Sequence, residues 1–123
     1  MYPLVKQIQS VSDSAKACTA RLAGMAPPSF PDNETTLAEI RARIDKTIAF
    51  LQTIKPEQLE GAADRLVPIP WMPGKGVKGL QYLTVLQLPN FYFHVTTTYD
   101  ILRHNGVDLG KTDFIGELSL VDV

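Results

Sequence analysis

The sequence is poor in the residues that build metal centres and disulfides. Its 123 residues contain one cysteine, Cys18, and two histidines, His94 and His104. A lone cysteine excludes an internal disulfide and any zinc site made from several thiolates of one chain, so a reducing cytoplasm is the default compartment. Charge of one sign is also lacking. Twelve basic and thirteen acidic residues leave a net charge of −1, and no two basic residues are adjacent. That excludes the concentrated basic face with which proteins neutralise nucleic-acid phosphates. No apolar run is long enough to span a bilayer, and Met1-Tyr2-Pro3-Leu4 has neither the basic region nor the apolar run of a secretory signal. Neither nucleic acid nor membrane is therefore expected as a partner.

What is present is helical periodicity. With 45% apolar and 20% charged residues, the composition is that of an ordinary globular domain, and the length suits one domain with one core. Leu4, Ile8, Val11, Ala15, Cys18 and Leu22 recur at alternating spacings of four and three, which predicts a helix from about Pro3 to Ala23 with Gly24 as its stop. Pro27, Pro28 and Pro31 make residues 25–35 a connector, and Phe30 is expected to pin it to the body. Thr36 followed by Glu39 reads as a capping box opening a second helix. Its expected buried stripe is Leu37, Ile40, Ile44, Ile48, Leu51 and Ile54, with Glu39, Arg43, Arg41 and Asp45 as exposed helical neighbours. Lys55-Pro56 ends it.

Prolines and glycines crowd residues 56–79. Leu66–Trp71 and Gly76–Lys78 are expected as arms of a short irregular hairpin turning at Pro73–Gly76, with Trp71 packed over the core and Asp64 and Arg65 as a solvated pair. A third helix follows from about Leu80 to Asn105, kinked at Pro89 and stopped by Asn105-Gly106. His104 lies at its carboxyl end, where an imidazolium suits the helix dipole. The tail from Val107 is expected to pack as a strap. The fold class is thus all-α, with a small hairpin before the last long helix; an α+β domain is the alternative if residues 66–78 pair more extensively.

One polar constellation stands out. At about 100° per residue, Gln87, His94 and Thr98 share a sector of the third helix with Phe91, Val95 and Leu102, and Asn90 lies at its rim. Gln7 lies on the shoulder of the first helix's stripe. Polar groups facing a core must find partners. One reading is a pocket in which Gln7, Gln87, Asn90, His94 and Thr98 hold a small molecule, with His94 as general base or metal ligand. The plainer reading is a buried network that fixes helix packing. A single histidine falls short of the roughly three protein ligands a catalytic zinc uses, so no metal cofactor is expected, and His94 is the only candidate ligand should a divalent metal bind. Cys18, on the buried stripe, reads as packing.

The stretch Leu88-Pro89-Asn90-Phe91-Tyr92-Phe93-His94-Val95-Thr96-Thr97-Thr98-Tyr99-Asp100-Ile101-Leu102-Arg103-His104-Asn105-Gly106-Val107, with Pro3-Leu4-Val5-Lys6-Gln7 and Leu109-Gly110-Lys111, resembles a bacterial family of unknown function, number 1993 of its series, in the DinB/YfiT-like superfamily. The resemblance runs to about Gly116. It implies a four-helix bundle, often dimeric. In the wider superfamily three histidines surround a metal, one on the second bundle helix and two on the last, and members include thiol-dependent transferases and isomerases. Here His94 is kept, Thr98 stands four residues later, and Gln7 occupies the place of the histidine on the earlier helix. Relatives also have a helix before the segment matching Met1-Tyr2-Pro3. Residues 1–123 are therefore expected to form a single DinB-like domain, N-terminally shortened, whose open apolar face favours a homodimer. The functional expectation is a small-molecule-binding protein without the superfamily's metal; the alternative is a metal- or thiol-dependent transferase with His94 as base or sole ligand.

Overall fold

The computed structural model describes residues 1–122. Helix α1 spans Leu4–Leu22. It closes with the amide of Met25 donating to the Ala20 carbonyl (2.8 Å) and that of Gly24 to the Arg21 carbonyl (3.1 Å). This pair of bonds turns the chain through a left-handed residue, and Gly24 supplies it at φ 73°. Helix α2 spans Leu37–Gln52, and its capping box forms as the sequence predicts: Thr36 Oγ1 accepts from the Glu39 amide, and Glu39 Oε2 accepts from the Thr36 amide.

Strands β1 (Leu66–Pro68) and β2 (Gly76–Lys78) pair antiparallel with Val67 opposite Val77. The long helical segment after them begins as α3 (Gly79–Gln81), widens into a π-turn at Tyr82–Gln87, and continues as α4 (Leu88–His104). The helix therefore does run on through Pro89, but the irregularity lies upstream of it. Proline has no N–H to return to the preceding turn, and the wide turn relocates that missing bond. A short helix α5 (Lys111–Ile115) sets Phe114 edge-on against Tyr99.

Helix α1 is central, packed against α2 on one side and α4 on the other. The fully dry core is small and lies at one end, where Cys18 and Leu22 of α1 meet Val67 and Ile69 of the hairpin and the completely buried Tyr82. Arg21 donates to the Tyr82 hydroxyl (2.9 Å), so the ring enters the core with its polar tip satisfied.

Several expectations change. Arg43 is not an exposed partner of Glu39. It is buried, donating through Nη1 to the Pro31 carbonyl (3.1 Å) and Glu34 (2.9 Å) and through Nη2 to Asp13 (2.8 Å), with Asp32 at 3.0 Å. Pro31, Asp32 and Glu34 lie on the connector and Asp13 on α1, so this α2 arginine ties all three segments together. Phe30 does pin the connector, between the ammonium groups of Lys16 and Lys46, each a little over 4 Å from the ring centre. Arg65 does not pair with Asp64; it donates to the Leu22 carbonyl, and Asp64 takes Lys78. Trp71 is exposed. Of the expected α2 stripe, Ile44 and Ile48 are 41% and 47% exposed because they line an open groove, and Leu37, outside that groove, is 81% exposed.

Candidate functional site

Four of the five polar residues singled out, Gln7 on α1, Gln87 at the end of the π-turn, and Asn90 and His94 on α4, lie along the seam with α1 in two clusters. In the first, Gln7 is fully buried. Its Nε2 donates to the Tyr2 carbonyl (3.1 Å) and contacts Met1 Sδ (3.3 Å), while its Oε1 lies 2.7 Å from His94 Nδ1. The Tyr2 carbonyl only accepts, which fixes the amide's orientation and presents its oxygen to the imidazole. His94 Nδ1 must then carry the proton. Nε2 keeps its lone pair; it has no protein partner among the described residues and is not sealed from solvent. The Tyr2 ring lies parallel to His94 (6.4 Å, 8°) and Phe93 meets it edge-on (5.3 Å). Sequence reading missed Tyr2, since it precedes the helix and no periodicity reaches it.

The second cluster lies two helical turns, about 10 Å, further along α1. Asn90 Nδ2 donates to Ser14 Oγ (3.3 Å), which donates to Gln87 Oε1 (3.0 Å). Thr98 joins neither cluster. Its hydroxyl turns back to the His94 carbonyl (2.8 Å), and its side chain lines the groove. The structure thus pairs Gln7 with His94, joins Gln87 to Asn90 through Ser14, and sets Thr98 apart.

The cavity itself lies on the other side of α4's inner face. It is an apolar groove of about 450 Å³. Ile8, Val11 and Ala15 form its floor, Ile44 and Leu51 one wall, Phe91, Val95 and Leu102 the other. Its polar members are already satisfied: Ser12 and Thr47 bond each other (2.7 Å) at the floor.

Desolvation by burial lowers the His94 pKa from its ordinary 6.5, so the ring is neutral at pH 7. The folded state accepts this proton less readily than the unfolded chain. Stability is therefore complete above about pH 6.5 and declines as pH falls from there toward the depressed folded value, where the loss levels off. Unfolding midpoints measured across this range should fall for the wild type and stay flat in His94→Gln; parallel curves would show that another group titrates. Burial pushes the Cys18 thiol up to about 11, against the opposing charge of Arg21, so at neutral pH it is a protonated packing group with little nucleophilic character.

Residues 1–115 match the family described as a domain of unknown function, DUF1993. The chain belongs to the DUF1993 family. A crystal structure of a DinB family member protein from Shewanella denitrificans is similar to this DUF1993 chain at 38% identity and a TM-score of 0.95, over 100% of this chain and 70% of that one. The DUF1993 chain is thus DinB-like in fold. No curated protein matches it. No helix among its described residues is long and apolar enough to cross a membrane.

The donor set around His94 does not fit a three-histidine metal centre. Gln7 turns its Oε1 to His94 Nδ1, Thr98 offers only a neutral hydroxyl that donates to the His94 carbonyl, and no group of three histidine, cysteine or acidic side chains converges among the described residues. What the DUF1993 site offers chemically is one oriented imidazole lone pair between two aromatic rings.

Proposed function

We propose that this DUF1993 protein binds a small molecule at His94 without acting on it chemically. One observation supports the reading above others: the Gln7–His94 hydrogen bond, backed by the Tyr2 carbonyl, commits Nδ1 and presents Nε2 as a fixed acceptor. The half-exposed rings of Tyr2 and Phe93 flank it. The matching ligand is a neutral molecule with an O–H or N–H donor on a planar ring, the donor engaging Nε2 and the ring covering exposed aromatic surface. Among the described residues no carboxylate, hydroxyl or thiol is hydrogen-bonded to the imidazole, whose one side-chain partner is the Gln7 amide, which favours binding over catalysis.

Nitrogen-detected NMR of the histidine side chains tests this, with phenol as the probe. The expected spectrum shows His94 as the Nδ1–H tautomer, and phenol shifts its Nε2 resonance in the wild type but leaves the His94→Gln spectrum unchanged. An Nε2–H tautomer, or an Nε2 resonance indifferent to phenol, would refute the proposal.

A further inference from the structure

Asn90 stands one helical turn before His94 on α4, a spacing that leaves about 5–6 Å between the two β-carbons. Round the helix the two are about 40° apart, on the flank turned away from the groove walls Val95 and Leu102. Both are oriented from α1. Ser14 has a single hydroxyl proton and gives it to Gln87 Oε1 (3.0 Å). Toward Asn90 it can therefore only accept, and Asn90 Nδ2 donates to it (3.3 Å). That bond turns Nδ2 toward α1 and Oδ1 away from it. Oδ1 has no protein partner among the described residues and is not sealed from solvent.

His94 repeats the arrangement. Gln7 takes its Nδ1 proton and leaves Nε2 as the outward acceptor. Two acceptors thus lie a helical turn apart, each set by a different residue of α1. Both are uncharged, and no aspartate or glutamate occurs between Arg65 and Tyr99. This stretch of α4 therefore offers no counter-ion to a cationic ligand and suits neutral donors. Phe93, 52% exposed, lies beside the span and supplies apolar contact to a ring laid across it.

A ligand that satisfies both acceptors carries two neutral donors, a helical turn apart, on one rigid plane. Two hydroxyls on a benzene ring meet that spacing when they are para, at opposite corners of the ring. In the ortho isomer they are too close together to reach both. A single donor, as in phenol, leaves Asn90 to water.

We infer that the ligand of the His94 site is an aromatic with two para donors, of the hydroquinone or aminophenol type, one donor held by His94 Nε2 and the other by Asn90 Oδ1. Asn90 is then the residue that sets specificity. The inference rests on the reading of His94 as a ligand acceptor and adds to it a second contact and a length.

The three dihydroxybenzenes measure that length, because they share their composition and donors and differ in spacing. Each is titrated under argon into the whole chain at neutral pH, with the His94 Nε2 resonance and the Asn90 side-chain amide followed by NMR. The expected order of affinity is hydroquinone, resorcinol, catechol. The para isomer should bind about fivefold more tightly than the ortho, the effect of one net hydrogen bond, and should shift the Asn90 amide where catechol does not. In Asn90→Ala, at an exposed position, helical circular dichroism should persist and the preference for the para isomer should collapse. Equal affinities for the three isomers in the wild type, or the same preference in Asn90→Ala, would overturn the inference. If such equal isomers still shift Nε2, the His94 acceptor stands and its para partner falls; if none shifts Nε2, both readings fall.

Discussion

Replacing Arg43 by alanine is expected to destabilise the fold by about 3 kcal/mol, the lower end of the range for breaking a buried ion pair. The guanidinium is 2% exposed, while its three carboxylate partners differ widely in solvent access. Asp13 and Asp32 are 43% and 34% exposed and can rehydrate once the arginine is gone. Glu34 is only 9% exposed and would be left as a buried charge held by Gln9 and its own backbone amide, with no cation beside it. Burial by itself would raise the Glu34 pKa, but hydrogen bonds from Arg43 and Gln9 outweigh it and hold the carboxyl below its ordinary range. Asp32 is held low by its hydrogen bond from Lys6. These carboxylates contribute stability above their unfolded pKa values, and it is lost as acid drives pH down through the folded ones. Urea titration at fixed protein concentration checks the mutation: a lower midpoint at unchanged slope is the expected result. A loss under about 1 kcal/mol, the scale of a surface pair, would mean that the connector is held by Phe30 and not by this arginine.

Gly79→Ala is expected to cost at least about 2 kcal/mol, although the same exchange inside an ordinary helix gains roughly 1 kcal/mol. The reason is a close approach. A Cβ at position 79 would lie 1.8 Å from the Ala62 carbonyl oxygen and 3.1 Å from Leu22 Cδ2. The clash is with backbone, so no rotamer relieves it. The Gly79 amide donates to the Arg65 carbonyl and the Leu80 amide to the Ala63 carbonyl, both at 2.9 Å. Moving α3 away breaks both bonds and withdraws Tyr82 from the core it fills. Chemical denaturation of the purified variant decides the point; a neutral or stabilising outcome would show that the 61–65 turn yields without cost.

The sequence makes the elements legible because their signals are local. Proline at position 3, the Thr36–Glu39 box, the Pro73–Gly76 turn and Asn105-Gly106 each act within a few residues, and the helices and hairpin begin and end close to them. Less legible is which face of each helix finds a partner. Periodicity marks Ile44 and Ile48 as apolar but does not say that the wall opposite them is open. Arg43 looks like a solvent residue until the connector brings Asp32 and Glu34 over it, a contact set by the path of residues 25–35 and not by helical spacing. At the site, Gln7 and His94 were recognisable as polar residues on inward-facing sectors. Their pairing depends on the crossing of α1 and α4, and the tautomer on the Tyr2 carbonyl, which no helical pattern encodes.

Helix α1 is held by different forces at its two ends. Toward Leu22 it is fixed by dry contact with Val67, Ile69 and Tyr82; toward Leu4, by Gln7 with His94 and Lys6 with Asp32, and at its middle by Asp13 with Arg43. Cold weakens attachment of the first kind and added salt the exposed ion pairs among the second. Chilling therefore weakens chiefly the apolar attachment at the carboxyl end and added salt chiefly the Lys6–Asp32 tie at the amino end, so that temperature and ionic strength act on the rod as two separate handles.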